Sequence, residues 1–190
     1  MKTLFYKTVK PIIKCIFYVL FRPTVIGIEN IPKENSLVLA GNHTKWLDPI
    51  MLIAVVKRPV FFLAKQELFK GPLGIIIKAM NCIPVNRKIH DKNALSEAKK
   101  VLSENNVIGI FPEGTVNKTK DLVLPFKIGA VKMSNDTNST LVPFAITGKY
   151  KLFRKSIEIE FLKPRKISKD LDKENSKLMK EISNKLEVKR

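Results

Sequence analysis

The stretch Leu37-Val38-Leu39-Ala40-Gly41-Asn42-His43-Thr44-Lys45-Trp46-Leu47-Asp48-Pro49 joins two kinds of sequence. Its run of small and branched apolar residues predicts a buried strand over 36–40, with Gly41 as the joint to a loop. In α/β proteins the ends of such strands carry the chemistry. Proline suits the first position of a helix and disfavours helical backbone in the residue before it. The spacing therefore predicts a helix from Pro49 to about Lys57, with Asp48 at its N-cap. His43, one of two histidines in 190 residues, lies in the loop just ahead, where its imidazole can fold back onto the Asp48 carboxylate. Histidine with a carboxylate partner is general-base equipment. The alternative is that Asp48 only caps a helix and His43 only closes a turn.

Outward from this stretch, short apolar runs alternate with helical ones. Strands are expected at 36–40, 60–64, 81–85, 107–111, 141–147 and 156–161, and helices at 49–57, 66–80 (broken by Gly71-Pro72-Leu73-Gly74), 92–105 and 126–134. That alternation predicts a single α/β domain with a largely parallel central sheet flanked by helices. Three more stretches fall at strand ends. Asn86-Arg87-Lys88 offers an arginine that can grip a phosphate bidentately, or else a solvated basic loop. In Phe111-Pro112-Glu113-Gly114-Thr115, glycine lets the backbone approach a ligand and the carboxylate can hold a hydroxyl, unless this is an ordinary turn. Pro143, within a strand, implies an edge, a bulge or a close backbone approach.

Residues 1–23 carry five basic and no acidic side chains. On a helix Lys7, Lys10 and Lys14 form a stripe, and Pro11 is expected to split the segment into two short helical pieces. The longest uncharged run, 15–21, is far short of the roughly 20 apolar residues that span a bilayer. It ends in Phe21-Arg22-Pro23, unlike a signal cleavage site. The expectation is an amphipathic membrane element on an anionic lipid surface; the alternative is a helix packed on the protein's own core. Residues 166–190 predict a charged helix packed on the domain through Leu171, Leu178, Ile182 and Leu186. The expected division is thus 1–23, 24–165 and 166–190.

The net charge of +18, from 35 basic and 17 acidic residues, calls for an anionic partner: nucleic acid, anionic membrane or phosphorylated substrate. No nucleic-acid reader motif is recognisable, so no specific nucleic acid is expected. Cys15 and Cys82 show neither metal-ligand spacing nor a disulfide framework, and Cys82, in an apolar run, reads as an inert thiol.

Four blocks, Asn42-His43-Thr44-Lys45-Trp46-Leu47-Asp48, Ile83-Pro84-Val85-Asn86-Arg87, Phe111-Pro112-Glu113-Gly114-Thr115 and Leu141-Val142-Pro143-Phe144, resemble in order and spacing the glycerolipid acyltransferases, the 1-acyl-sn-glycerol-3-phosphate acyltransferases in particular. Lys65-Gln66-Glu67-Leu68, Gly71-Pro72-Leu73-Gly74 and Phe126-Lys127-Ile128-Gly129-Ala130 are similar as well. The resemblance covers residues 24 to about 150. It implies transfer of a fatty acyl group from acyl-CoA or acyl-acyl carrier protein to the sn-2 hydroxyl of 1-acyl-glycerol-3-phosphate, at the cytoplasmic face of a membrane, as a peripheral or monotopic protein with no metal or cofactor. His43 would be the base and Asp48 its orienter. Arg87 would take the phosphate, helped by Lys65, Lys118 or Lys120. Glu113 would position the glycerol end, and the N–H groups near Gly114 and Thr115 would steady the oxyanion. Two departures stand out: Val116 where many members have arginine, and Asn86 where many have aspartate. They leave open a different lysolipid or amino-lipid acceptor, and beyond that a non-catalytic lipid- or nucleic-acid-binding protein.

Overall fold

Strand β2 (Leu37–Gly41) is buried at every residue, which is why its sequence is a continuous apolar run without alternation. It sits mid-sheet with a helical layer on each face. The computed structural model describes residues 2–71, 74, 77–78, 80–86 and 91–189, with side chains described from Thr8 onward. The other strands are β1 (Thr24–Ile26), β3 (Val60–Lys65), β4 (Cys82–Val85), β5 (Val107–Ile110), β6 (Thr140–Gly148) and β7 (Ile157–Phe161), in the order β1-β7-β6-β2-β5-β3-β4. Strands β2 to β6 run parallel, while β7 is antiparallel to β6 and β1 pairs parallel with β7. The predicted α/β architecture holds, with one reversed pair at an edge.

The described helices are α1 (Lys2–Phe21), α2 (Asp48–Val55), α3 (Lys92–Ser103), α4 (Gly129–Asp136) and α5 (Leu171–Val188). One face of the sheet packs Leu37, Leu39, Phe62 and Phe144 against α1 and α2. The other packs Val38, Ala40, Ile108 and Leu141 against α3, α4 and α5. β7 alternates buried Ile157, Ile159 and Phe161 with Glu158 and Glu160, which reach Lys189, just past the end of α5, and Lys185 on α5. Of the expected 66–80 helix, Gln66–Phe69 forms a short 3₁₀ turn; the remainder lies partly outside the described residues. Cys82 is half-buried, and burial pushes its thiol up to about 12, which leaves it unreactive.

Three expectations need correction. The N-terminal segment is one helix running through Pro11, not two pieces. The single hydrogen bond that proline removes is outweighed by the helix's anchorage: Phe17 and Phe21 enter the core, and the Lys10 ammonium donates to the Val56 and Lys57 carbonyls at 2.6 Å each. The helix after Pro49 starts at Asp48 and ends at Val55, with Leu47 at the cap position. Strand β1 was not anticipated from the sequence. Pro143 lies inside the sheet, between β2 and β7, but at an irregularity. Between the pair Phe144↔Phe161 and the bridge Leu141↔Arg165, Val142 and Pro143 face Leu162, Lys163 and Pro164. This is the bulge that a proline needs.

Among the described residues, no helix is long and apolar enough to cross a membrane. At the end of β2, a Cβ on Gly41 would meet the Phe144 ring at 2.3 Å and the Phe144 carbonyl at 2.5 Å. Gly41→Ala is expected to cost about 1–3 kcal/mol and lower Tm by about 2–12 °C. An unchanged melting curve would show that this packing is loose.

Candidate active site

Three neighbouring strands, β6, β2 and β5, end at the same edge of the sheet and deliver Tyr150, His43 and Glu113. Just beyond β2, the buried Asn42 side chain bonds both main-chain groups of Ile146 in β6, at 2.8 and 2.9 Å. This fixes the start of the loop. His43 is then held on every side but one. Its N–H donates to Glu113 Oε1 at 2.7 Å, and its carbonyl accepts the Asn117 N–H at 2.8 Å. Its ring stacks on Phe111 with centroids 4.1 Å apart. Its Nδ1 lies 2.8 Å from Asp48 Oδ2.

Asp48 is completely buried. Its Oδ2 also accepts the N–H groups of Thr44 (2.6 Å) and Lys45 (2.8 Å). Its Oδ1 accepts the Thr44 hydroxyl (3.0 Å) and the Tyr150 hydroxyl (2.7 Å). The carboxylate therefore turns back into the preceding loop instead of capping its own helix, as the N-cap reading had it. A carboxylate ringed by donors can only accept, so the proton shared with the imidazole belongs to Nδ1. The Nε2 lone pair is left free, and no protein partner for it is found among the described residues. This is the arrangement that general-base chemistry requires, with the tautomer fixed by a hydrogen bond.

The Glu113 carboxylate is 4% exposed, with Oε1 on the His43 N–H and Oε2 on the Leu124 N–H at 2.8 Å. It clamps the main chain of the His43 loop, and the geometry offers little of it to a substrate. Burial pushes its carboxyl up, against the pull of those two N–H groups. A raised native pKa means that the folded chain holds this proton more tightly than the unfolded one. Glu113 accordingly favours folding less as pH rises through its titration. Gly114, at φ 72°, allows the tight turn, but its N–H donates to the Phe111 carbonyl at 2.9 Å. That N–H is therefore committed to the turn, in contrast to the expected oxyanion role. Thr115 is exposed and its N–H is not engaged in this way.

Two residues near the site were given no role from the sequence. The Lys127 ammonium lies over Gly114, 3.0 Å from where a Cβ would stand. Tyr150 reaches Asp48 from beyond β6. Lys127 lies within the block Phe126-Lys127-Ile128-Gly129-Ala130, which gives it no role by itself, and no motif announces Tyr150. Lys65, at the end of β3, pairs with Glu67 at 3.5 Å, both half exposed. Arg87 lies outside the described residues. Among the described residues that flank it, Asp91 accepts N–H groups from Asn86 (2.9 Å) and from Ala94 (3.0 Å) in α3. Strand β4, which ends at Val85, is three strands from β2, roughly 14 Å by ordinary strand spacing. Among the described residues, no group of three His, Cys, Asp or Glu side chains is placed to hold a metal.

A family model described as Acyltransferase matches residues 22–147. The 1-acyl-sn-glycerol-3-phosphate acyltransferase of Borreliella burgdorferi is 38% identical over 136 residues, covering 70% of this chain and 54% of that protein. The Bacillus subtilis protein of the same name is 33% identical over 126 residues, covering 65% and 62%. The chain thus spans about half to three-fifths of the length of these relatives. The crystal structure of the 1-acyl-sn-glycerophosphate (LPA) acyltransferase from Thermotoga maritima shares the fold, with a TM-score of 0.76 at 22% identity over 96% of this chain and 78% of that one. The family match spans His43, Asp48 and Glu113 within about two thirds of the sequence, and the chain belongs to the acyltransferase family.

Proposed function

We propose that the protein transfers a fatty acyl group from acyl-CoA or acyl-acyl carrier protein to the sn-2 hydroxyl of 1-acyl-glycerol-3-phosphate, giving phosphatidic acid. The observation that carries this reading is the 2.8 Å contact between His43 Nδ1 and the buried Asp48 carboxylate, with Nε2 directed away from it. Nε2 takes the hydroxyl proton as the acceptor oxygen attacks the thioester carbonyl. The tetrahedral intermediate collapses, the C–S bond breaks, and the imidazolium returns its proton to the leaving thiolate. The nucleophile belongs to the substrate, so no acyl-enzyme forms. Thr115 N–H is the candidate donor to the oxyanion. Glu113 keeps the His43 loop in place. Arg87 grips the acceptor phosphate, and Lys127, over Gly114, supplies positive charge on the side where Val116 replaces the arginine of many relatives.

The reaction takes place on a lipid surface. The outward face of α1 exposes Ile12, Ile16 and Val19, at 59, 53 and 55%. Beside them stand Leu152 and Phe153, at 59 and 60%, on a loop whose Phe153 N–H donates to the Leu20 carbonyl. Exposed Lys151, Arg154 and Lys155 flank Leu152 and Phe153 on that loop. An apolar centre with a cationic rim fits the interface of an anionic bilayer.

Two experiments follow. Thiol release from acyl-CoA and acyl-acyl carrier protein is measured with 1-acyl-glycerol-3-phosphate and with neutral and amino lysolipids. Release should require the phosphate-bearing acceptor and fall about 10²–10⁴-fold in His43→Ala. Preference for an amino or neutral lysolipid would replace the acceptor, and wild-type rates in the variant would remove the base. For the surface, deleting α1 would strip Phe17 and Phe21 from the core, so point variants are the sound test. The double variant Ile16→Glu/Phe153→Glu should weaken binding to anionic vesicles about tenfold or more while leaving Tm nearly unchanged. Undiminished binding would place the membrane contact elsewhere.

A further inference from the structure

Tyr150 stands two residues beyond β6 and outside the span matched by the family model. Its hydroxyl donates to Asp48 Oδ1 at 2.7 Å. Its ring meets Phe17 and Phe21 of α1 edge-on, with centroid distances of 6.2 and 5.4 Å. Both phenylalanines are on the buried face of α1. One side chain therefore touches the catalytic carboxylate at one end and, at the other, the helix whose opposite face is exposed and apolar.

The other donors to Asp48 are His43 Nδ1, the Thr44 N–H and hydroxyl, and the Lys45 N–H. All four belong to the loop that Asp48 itself organises, so they fix its internal shape and say nothing of its placement. The Tyr150 bond comes from outside. It refers the carboxylate to β6 and, through two ring contacts, to α1. Burial, followed by the Asp48 charge, pushes the phenol above its usual range, so it stays a donor at every working pH.

We propose that Tyr150 is a positioning residue that couples the docking of α1 to the His43–Asp48 pair. This rests on the reading of that pair as the general base. Tyr150→Phe removes one oxygen and keeps the ring in its place between Phe17 and Phe21. The charged groups facing the imidazole are Asp48, at the start of α2, and Glu113, after β5; α1 presents only apolar rings here. With one donor fewer, the Asp48 carboxylate holds the protonated imidazole more tightly.

The experiment compares full-length wild type, Tyr150→Phe, Phe17→Leu and the double variant, with an acyl thioester and 1-acyl-glycerol-3-phosphate in mixed micelles. Tyr150→Phe should lower kcat about tenfold, leave KM within about twofold, and move the acid limb of the pH profile to higher pH. The low-field Nδ1–H proton resonance of His43 should move downfield. Phe17→Leu should lower kcat about threefold in the wild-type background and change little once Tyr150 is Phe. Wild-type kcat with an unmoved acid limb and resonance in Tyr150→Phe would overturn the positioning role. Additive losses in the double variant would overturn the coupling to α1. If wild type transfers no acyl group, the proposed reaction fails, while the resonance still decides whether Tyr150 acts on the pair.

Discussion

A carboxylate without solvent exposure is costly unless donors surround it, and that requirement at Asp48 shapes everything near it. Four of its donors come from residues 43–45, so the loop has to curl around the charge. The curl turns the imidazole inward through Nδ1 and leaves Nε2 outward. It also throws Trp46 to the surface, where it is 71% exposed. Removing the charge would leave several N–H and O–H groups facing one another in a dry interior, which makes the loop and the base a single unit.

The sheet makes that unit possible. Parallel β6, β2 and β5 end side by side, so residues more than 100 positions apart in sequence meet at one edge: Tyr150 and Asp48, with Glu113 on the far side of His43. Helix α1 then has two faces with different tasks. Its inner face fills the core beside Tyr150, and its outer face carries the apolar patch. If the acceptor is met at a lipid surface, as proposed, this arrangement gives a short physical connection between that surface and His43.

The sequence was informative where one local cause dominates. Six of the strands follow from apolar runs such as Leu37-Val38-Leu39-Ala40, and the His43–Asp48 contact from the spacing ahead of Pro49. Strand β1 escaped because its three residues form a half-exposed edge that pairs with β7; no local pattern requires it. The break expected at Pro11 did not occur because tertiary contacts of Lys10, Phe17 and Phe21 outweigh one missing hydrogen bond. Glu113 looked like a ligand for substrate because its neighbours Pro112 and Gly114 mark a constrained turn. That the constraint serves the His43 main chain is visible only when β5 is placed beside β2. Tyr150 depends on sheet order, which no motif encodes, and the block that contains Lys127 does not tell that its ammonium returns over Gly114.

The central claim is that Asp48 orients His43 as an acceptor-activating base. Turnover of Asp48→Asn, expressed per folded molecule with saturating thioester and lysophosphatidate, tests it most directly. The asparagine amide would present donors to a site that already supplies donors, and would hold the imidazole in the wrong tautomer. A loss on the order of 10³-fold or more, with KM little changed, is the predicted result; turnover within about tenfold of wild type would contradict it.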